Sequence, residues 1–515
     1  MMNNPAAAMR MLMTYAVCIP LAIFVGYLLT NPLDYGSLGF LGFVLMVMFS
    51  PPLIKFHYEI MLFALGSPIV LFFIVMRPPM GQAMVLVSLT IAIVERTLSR
   101  RRRFVNVPSM TWPMFFILAV VILTMELTGG MGFHSFGSSG GGGRKYIVLF
   151  VSILTYFAIT SRPFPPENRN FYIALYFLAG LPSFIGDIGP YLPSPLNYVN
   201  LLIPPSLDAS AIHVLGDVQT TISRFGAVST TMGVLTSFML VKWGLRGIFM
   251  GNRLWRTVAF IACALLSLVG GYRSTAVGLL LIIGVMFFME GLHRTRLLGV
   301  FLFGFIFMGA LLVPLSNKLP MNVQRSLTFL PLNWSAEAII QAEGSSEWRL
   351  RIWRDLWPKV PQYLLLGKGY AMSAEDYQSI GEGVFAGGYA AAMDASQEAL
   401  AISADYHNGP LSALIPFGIW GAIGFLWMMF AGLRVLYRNH KYSEPELRTV
   451  NAFFMGTYIV QILTFFFIFG AFQDDVGKFA RVIGISIALN GGLLGPKVNP
   501  VVIPRIKPQR IPVTA

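Results

Sequence analysis

Apolar runs of about twenty residues follow one another along almost the whole chain, and this repetition limits the possible folds more than any other feature. Inside lipid each crossing segment must satisfy its own backbone hydrogen bonds, which here selects helices over barrel strands. Spans are expected at 11–29, 36–50, 59–76, 79–95, 112–128, 146–161, 168–186, 226–243, 255–270, 274–290, 296–316, 409–432, 449–470 and 478–495. Composition agrees: 12% of residues are charged, where soluble domains carry about 25%. The expected fold class is therefore all-α, a polytopic membrane protein with about 12–14 transmembrane helices.

The spans divide the chain. Residues 1–316 hold about eleven helices, 317–408 form one long external loop with short amphipathic helices, 409–495 return to the membrane, and 496–515 are a basic tail. The formal charge of +14 collects in clusters: Arg100 to Arg103; Lys242, Arg246, Arg253 and Arg256; Arg294 and Arg296; Arg434, Arg438 and Lys441; then Lys497, Arg505, Lys507 and Arg510. Counted through the spans, all fall on one face, which positive-inside placement makes cytoplasmic, with both termini. That accounts for the basic balance, and no nucleic-acid partner is expected. Cys18 and Cys263 both lie in spans and read as small core residues. Residues 11–29 are too long and apolar for a cleavable signal and read as a retained first span.

On the opposite face, 129–145 is a Gly/Ser-rich tether and 187–225 a Pro-rich loop carrying His213 and Arg224. The loop at 317–408 has more content. Trp348, Trp353 and Trp357 alternate with Arg349, Arg351 and Arg354, so a helix here is amphipathic, with indoles at headgroup level. It either lies on the bilayer or lends its arginines to a site. Pro358 and Pro361 follow, then Gly367-Lys368-Gly369, a tight turn that is weak evidence for phosphate binding.

Among six histidines, His57, His293 and His440 sit beside basic clusters, while His134 and His213 lie in the two smaller loops. His407 differs by position. It precedes Asn408 where the long loop re-enters an apolar helix, in the run H-N-x(9)-G-x-x-G that ends on Gly418 and Gly421. An imidazole there can take or give a proton, or simply cap and pack the helix start. Arg273 sits in a very short external turn, Gly270 to Ser274, against the positive-inside trend. A guanidinium so close to hydrocarbon either snorkels or meets an anion, and its fork matches phosphate. The loop carboxylates Glu347, Glu375, Asp376, Asp394, Glu398 and Asp405 form no metal-binding spacing, so neither metal nor cofactor is expected.

Taken in order, Arg273-Ser274 opening a span, Arg349-x(3)-Trp353, Gly367-x-Gly369 and His407-Asn408-x(9)-Gly418-x-x-Gly421 resemble the O-antigen ligase and O-antigen polymerase superfamily of polytopic membrane glycosyltransferases. The resemblance covers about 255–432, and Tyr272 stands where that family often has serine. It implies a metal-independent enzyme in polysaccharide assembly at the bacterial inner membrane. Such an enzyme moves a glycan from a polyprenyl-pyrophosphate carrier to a glycan, lipid or protein acceptor. Carried over, Arg273 and Arg349 would neutralise the pyrophosphate and His407 would serve the acceptor hydroxyl. Arg351, Arg354, Trp353, Asn408, Gly367 and Gly369 would bind substrate. The rival expectation is a transporter, a flippase for lipid-linked oligosaccharide, which would show internal repeats and charges at mid-membrane. No repeat is visible, and the singular charges gather at one external surface.

Overall fold

The computed structural model describes residues 34–496 except 75–76, 100–103, 131–141, 207–223 and 373–403, with a few positions between 15 and 30. Several features of the sequence lie outside the described residues: the run Arg100 to Arg103, the basic tail from Lys497, His134, His213, Glu375, Asp376, Asp394 and Glu398. The fold is all-α. No β-strand is present among the described residues, and Val70 and Pro79 form an isolated bridge.

The helices used below are α1 (Tyr35–Gly66), α2 (Met80–Leu98), α3 (Pro108–Thr128), α4 (Gly143–Ile159), α5 (Arg169–Leu178), α6 (Gly226–Phe249) and α7 (Leu254–Leu266). They continue with α8 (Arg273–Met289), α9 (Leu297–Leu315), α10 (Met321–Leu327), α11 (Ala336–Leu356), α12 (Gly409–Tyr442), α13 (Pro445–Phe467) and α14 (Phe472–Asn490). Among the described residues seven helical stretches are long and apolar enough to cross a bilayer, and Leu254–Gly270 and Arg273–Met289 are shorter apolar ones.

Three boundaries differ from those read in the sequence. The spans at 36–50 and 59–76 run together as α1, which breaks at Phe56 just after Pro51-Pro52 and stops at Gly66. The span at 168–186 is a ten-residue helix followed by short turns. The last span begins at Phe472, six residues earlier than 478, so Lys478 and Arg481 lie well inside α14.

Small residues set the packing. Gly477 and Gly484 of α14 let it close on Ser152 and Ile159 of α4, and Gly424 of α12 meets Phe116 and Ile117 of α3. Tyr146, Phe417, Phe472 and Phe479 fill the space between. At the opposite end from His407, Asn439 and Asn490 bond to Ser486 and Asn451 and tie α12, α13 and α14 together. α9 is the exception to this packing. Among the described residues its apolar stretch is only 6% buried, a surface suited to lipid.

Candidate functional site

The site is organised along one face of α11. Ser335 caps the helix by accepting from the Ala338 amide, and Ala338 and Ala342 are buried, so the backbone lies close against its support. Arg273 opens α8 two residues after Gly271, whose φ of 69° reverses the chain at the end of the short 3-10 turn Ser267–Gly270 that follows α7. Its Nη2 donates to the Ala342 carbonyl at 3.0 Å and to Ser346 Oγ at 2.9 Å. Ala342, Ser346, Arg349 and Trp353 follow at intervals of four, three and four, which places them on a single helical face. Trp353 then donates its indole Nε1–H to the Tyr406 carbonyl at 3.0 Å. One face of α11 thus runs from Arg273 to the residue before His407. Seven residues of helix, about 10 Å, separate Ser346 from Trp353.

Burial holds the Arg349 guanidinium below its ordinary pKa, and the neighbouring positive charge of Arg273 adds to the effect. Two cations close enough to repel one another make a strong field for an anion. Arg351, two residues beyond Arg349, is exposed on the opposite side of α11. Arg354 lines a different hollow of about 510 Å³, with Leu350, Trp353, Trp357, Asn408 and Leu411.

His407 occupies a strained corner. Its φ is 49° and that of Ala404 is 59°, both in the left-handed region that branched L side chains avoid. Asn408 explains part of the geometry: its Oδ1 accepts from the Leu411 amide at 3.0 Å and caps α12. Gly409 approaches the Phe465 backbone, and Ser412 Oγ accepts from the Phe472 amide at 2.9 Å. The start of α12 is thereby locked to the α13–α14 turn. Phe469 from that turn packs against the His407 ring, the two tilted at 53° with 4.6 Å between centroids.

Asp405 is the residue that sequence reasoning passed over. Its Oδ1 lies 3.1 Å from His407 Nδ1. Burial raises its carboxyl pKa, but the hydrogen bond and charge of His407 and the nearby Lys145 outweigh it and hold the group below the usual range. An ionised carboxylate only accepts, so Nδ1 must donate and Nε2 is left as the basic nitrogen. The signal available in the sequence is the D-x-H spacing of Asp405 and His407. Among the described residues no group of three His, Cys, Asp or Glu side chains is placed to hold a metal ion.

Gly367 and Gly369 serve a purpose different from the anion cradle suggested by G-x-G. Both have positive φ, 77° and 69°, and a Cβ on Gly367 would strike the Pro416 carbonyl. The Lys368 and Gly369 amides donate to Ile415 and Pro416 at 2.7 and 2.9 Å, and the Ile419 amide donates to Leu364 at 2.7 Å. These bonds fill the gap that Pro416 and Gly418 open in α12. The two glycines clamp the loop to the kink, and their close approach leaves the anion cradle to other residues.

This stretch, from the approach to Arg273 through His407 into α12, coincides with the comparison to known families. A family model described as O-antigen ligase matches residues 258–426. That match supports the O-antigen ligase superfamily over this stretch. The ligase match includes Arg273, Arg349, Trp353, Asp405, His407 and Asn408, and it ends within α12. Among curated proteins none matches the chain. The membrane-embedded helices and the ligase match together make this a membrane protein of a glycan-transferring enzyme family.

Proposed function

We propose that the protein transfers a glycan from a polyprenyl-pyrophosphate carrier to an acceptor hydroxyl at the outer face of the bacterial inner membrane, as a ligase or polymerase of polysaccharide assembly. The observation that carries this reading is the shared face of α11, with a guanidinium pair at one end and the His407 corner at the other. Arg273 and Arg349 hold the diphosphate. His407 Nε2 takes the proton of the acceptor hydroxyl, whose oxygen bonds to the anomeric carbon. The bond from that carbon to the phosphate oxygen breaks, and the departing diphosphate carries the electron pair, stabilised by the two guanidiniums. Asp405 keeps the imidazole in the tautomer this step requires and stabilises it once protonated. Asn408 fixes the helix start beneath it, and Arg354 with Trp353 and Trp357 borders the adjoining hollow, where substrate can rest.

The test uses purified protein in nanodiscs with lipid-linked donor and acceptor, with a chelator and without nucleotide. Glycan transfer under these conditions is the expected result. Transfer that survives unchanged in both His407→Ala and Arg273→Ala would overturn the assignment of the site.

A further inference from the structure

Two mainly apolar voids with a few polar and charged side chains in their walls adjoin one another within the helix bundle, apart from the His407 corner. The larger, about 460 Å³, is bounded by α1, α5, α6, α13 and α14, and the charged side chains among its described lining residues are Lys478 and Arg481. The smaller, about 270 Å³, extends between α6, α8, α13 and α14 to Thr275, two residues beyond Arg273. The two share Gly233, Ser237, Ile282, Thr457, Gln461 and Lys478 as walls.

α14 starts at Phe472, so Lys478 lies about 9 Å and Arg481 about 13 Å along it. Charges at that depth are costly unless they face a partner or a wet cavity. Asp475 pairs with Lys478 at 2.7 Å from the side of the smaller void. Asp474, the other acid at the helix start, is on the exposed face and lines neither void. Arg481 gives Nε to the Gly477 carbonyl and Nη1 to the Leu65 carbonyl, and those neutral acceptors leave its charge uncompensated. The larger void therefore carries a net positive wall.

Across from it, Thr457 Oγ1 and Gln461 Oε1 are buried with no hydrogen-bond partner, one turn apart on α13. Buried polar groups in a folded protein are ordinarily satisfied, and their lack of protein partners points to a ligand. A hydroxyl and a carboxamide whose orientation can flip both offer donors to an anion. There is also room. A Cβ added at Gly233 or Gly278 would meet nothing within 4 Å. Phe177, Phe453 and Phe454 complete the larger void with apolar surface that would take the stem of a headgroup.

We propose that the joined voids are a binding site for a phosphate group, monoester or diphosphate, held by Lys478 and Arg481 opposite Thr457 and Gln461. The site stands apart from the transfer chemistry at His407 and does not depend on it. The phosphate could belong to a membrane lipid or to a soluble molecule, and the test separates them. Purified full-length protein carrying Arg273→Ala and Arg349→Ala, which removes the other anion-binding face, is studied in neutral detergent. One arm titrates inorganic pyrophosphate by calorimetry. The other follows adducts by native mass spectrometry in micelles doped with phosphatidic acid or with diacylglycerol of the same tails.

Saturable binding in the first arm alone assigns a soluble phosphate. Adducts with phosphatidic acid, but not diacylglycerol, assign a lipid headgroup. In either case Gly233→Leu, which fills the void and leaves every charge in place, should weaken binding by about tenfold or more. Lys478→Gln with Arg481→Gln should do the same, checked for folding by elution profile and thermal melt. No saturable binding in either arm overturns the proposal, as does an affinity that Gly233→Leu leaves unchanged.

Discussion

At the scale of single residues, the pairing of Asp405 with His407 makes the proposed catalytic role of the imidazole testable. A general base contributes about 10² to 10⁴ in rate, so His407→Ala should reduce transfer by at least about 100-fold while the protein still elutes as a folded species. Asp405→Asn replaces an acceptor-only group with one that can also donate to Nδ1, which favours the wrong tautomer. Its rate should fall nearly as far, and a variant with wild-type turnover would reduce Asp405 to a structural contact. A pH dependence follows from the same carboxylate. Its folded-state pKa is depressed, so the unfolded chain binds the extra proton and stability rises with pH through that window. The contribution is fully present above the unfolded carboxyl value of about 3.9 and is lost as pH falls through the lower folded value. The gap in melting temperature between wild type and Asp405→Asn should therefore be open at pH 7 and narrow below about pH 4. A gap constant across that range would contradict the linkage. Arg273 and His407 were legible from sequence because each is a polar exception at a predicted span boundary. Asp405 was not, because a carboxylate in a polar loop looks ordinary until the strained backbone at Ala404 and His407 turns it back onto the ring.

At the scale of elements, α11 and the α12 kink do most of the positioning, and they were legible to different degrees. The C-terminal half of α11 shows itself through its tryptophans and arginines. Its start at Ala336 does not, since Glu337, Gln341, Glu343 and Gly344 carry no apolar stripe and the helix is anchored by distant partners such as Arg273 and Arg325. The same holds for Gly367, Gly369 and Gly418. Sequence reveals that glycines are present, but not that a loop backbone from one segment fits against a helix kink from another. Gly418 has φ of 62°, and a Cβ there would lie 2.7 Å from the Leu364 carbonyl. Gly418→Ala should thus cost about 1–3 kcal/mol and appear as a lower melting temperature in detergent. Gly278→Ala, where a Cβ meets nothing, should leave the melt unchanged or slightly raised. Equal losses in the two variants would mean that the kink is not a tight clamp. Trp353→Phe keeps most of the ring but loses the indole bond to Tyr406, so transfer should drop by about tenfold or more with little change in melting.

At the scale of the whole molecule, two orientations and two modes of action must be separated by experiment. The all-α membrane architecture was legible because hydrocarbon permits so few alternatives. The depth of Lys478 and Arg481 was not, because the last span was expected to start only at 478, whereas the helix begins at Phe472, and the packing of Phe472 on Phe425 and of Phe479 on Tyr458 carries both charges further into the bundle. Charges at that depth are what an alternating-access carrier would show, so the His407 end must be tied to chemistry independently. With Cys18 and Cys263 replaced, cysteine at the exposed positions Glu343 and Lys441 reports the two ends of the bundle. Positive-inside placement puts Glu343 outside and Lys441 inside. An impermeant maleimide should therefore label position 343 on intact spheroplasts and position 441 only after permeabilisation. The reverse pattern would move His407 to the cytoplasmic face, where a carrier-linked glycan that has already crossed the membrane could not reach it. Vesicles loaded with lipid-linked oligosaccharide and no acceptor then distinguish enzyme from carrier. A flippase equilibrates the oligosaccharide between leaflets without acceptor, and its rate is indifferent to His407→Ala. A transferase leaves the distribution unchanged and turns over only when an acceptor hydroxyl is supplied at the face that bears His407.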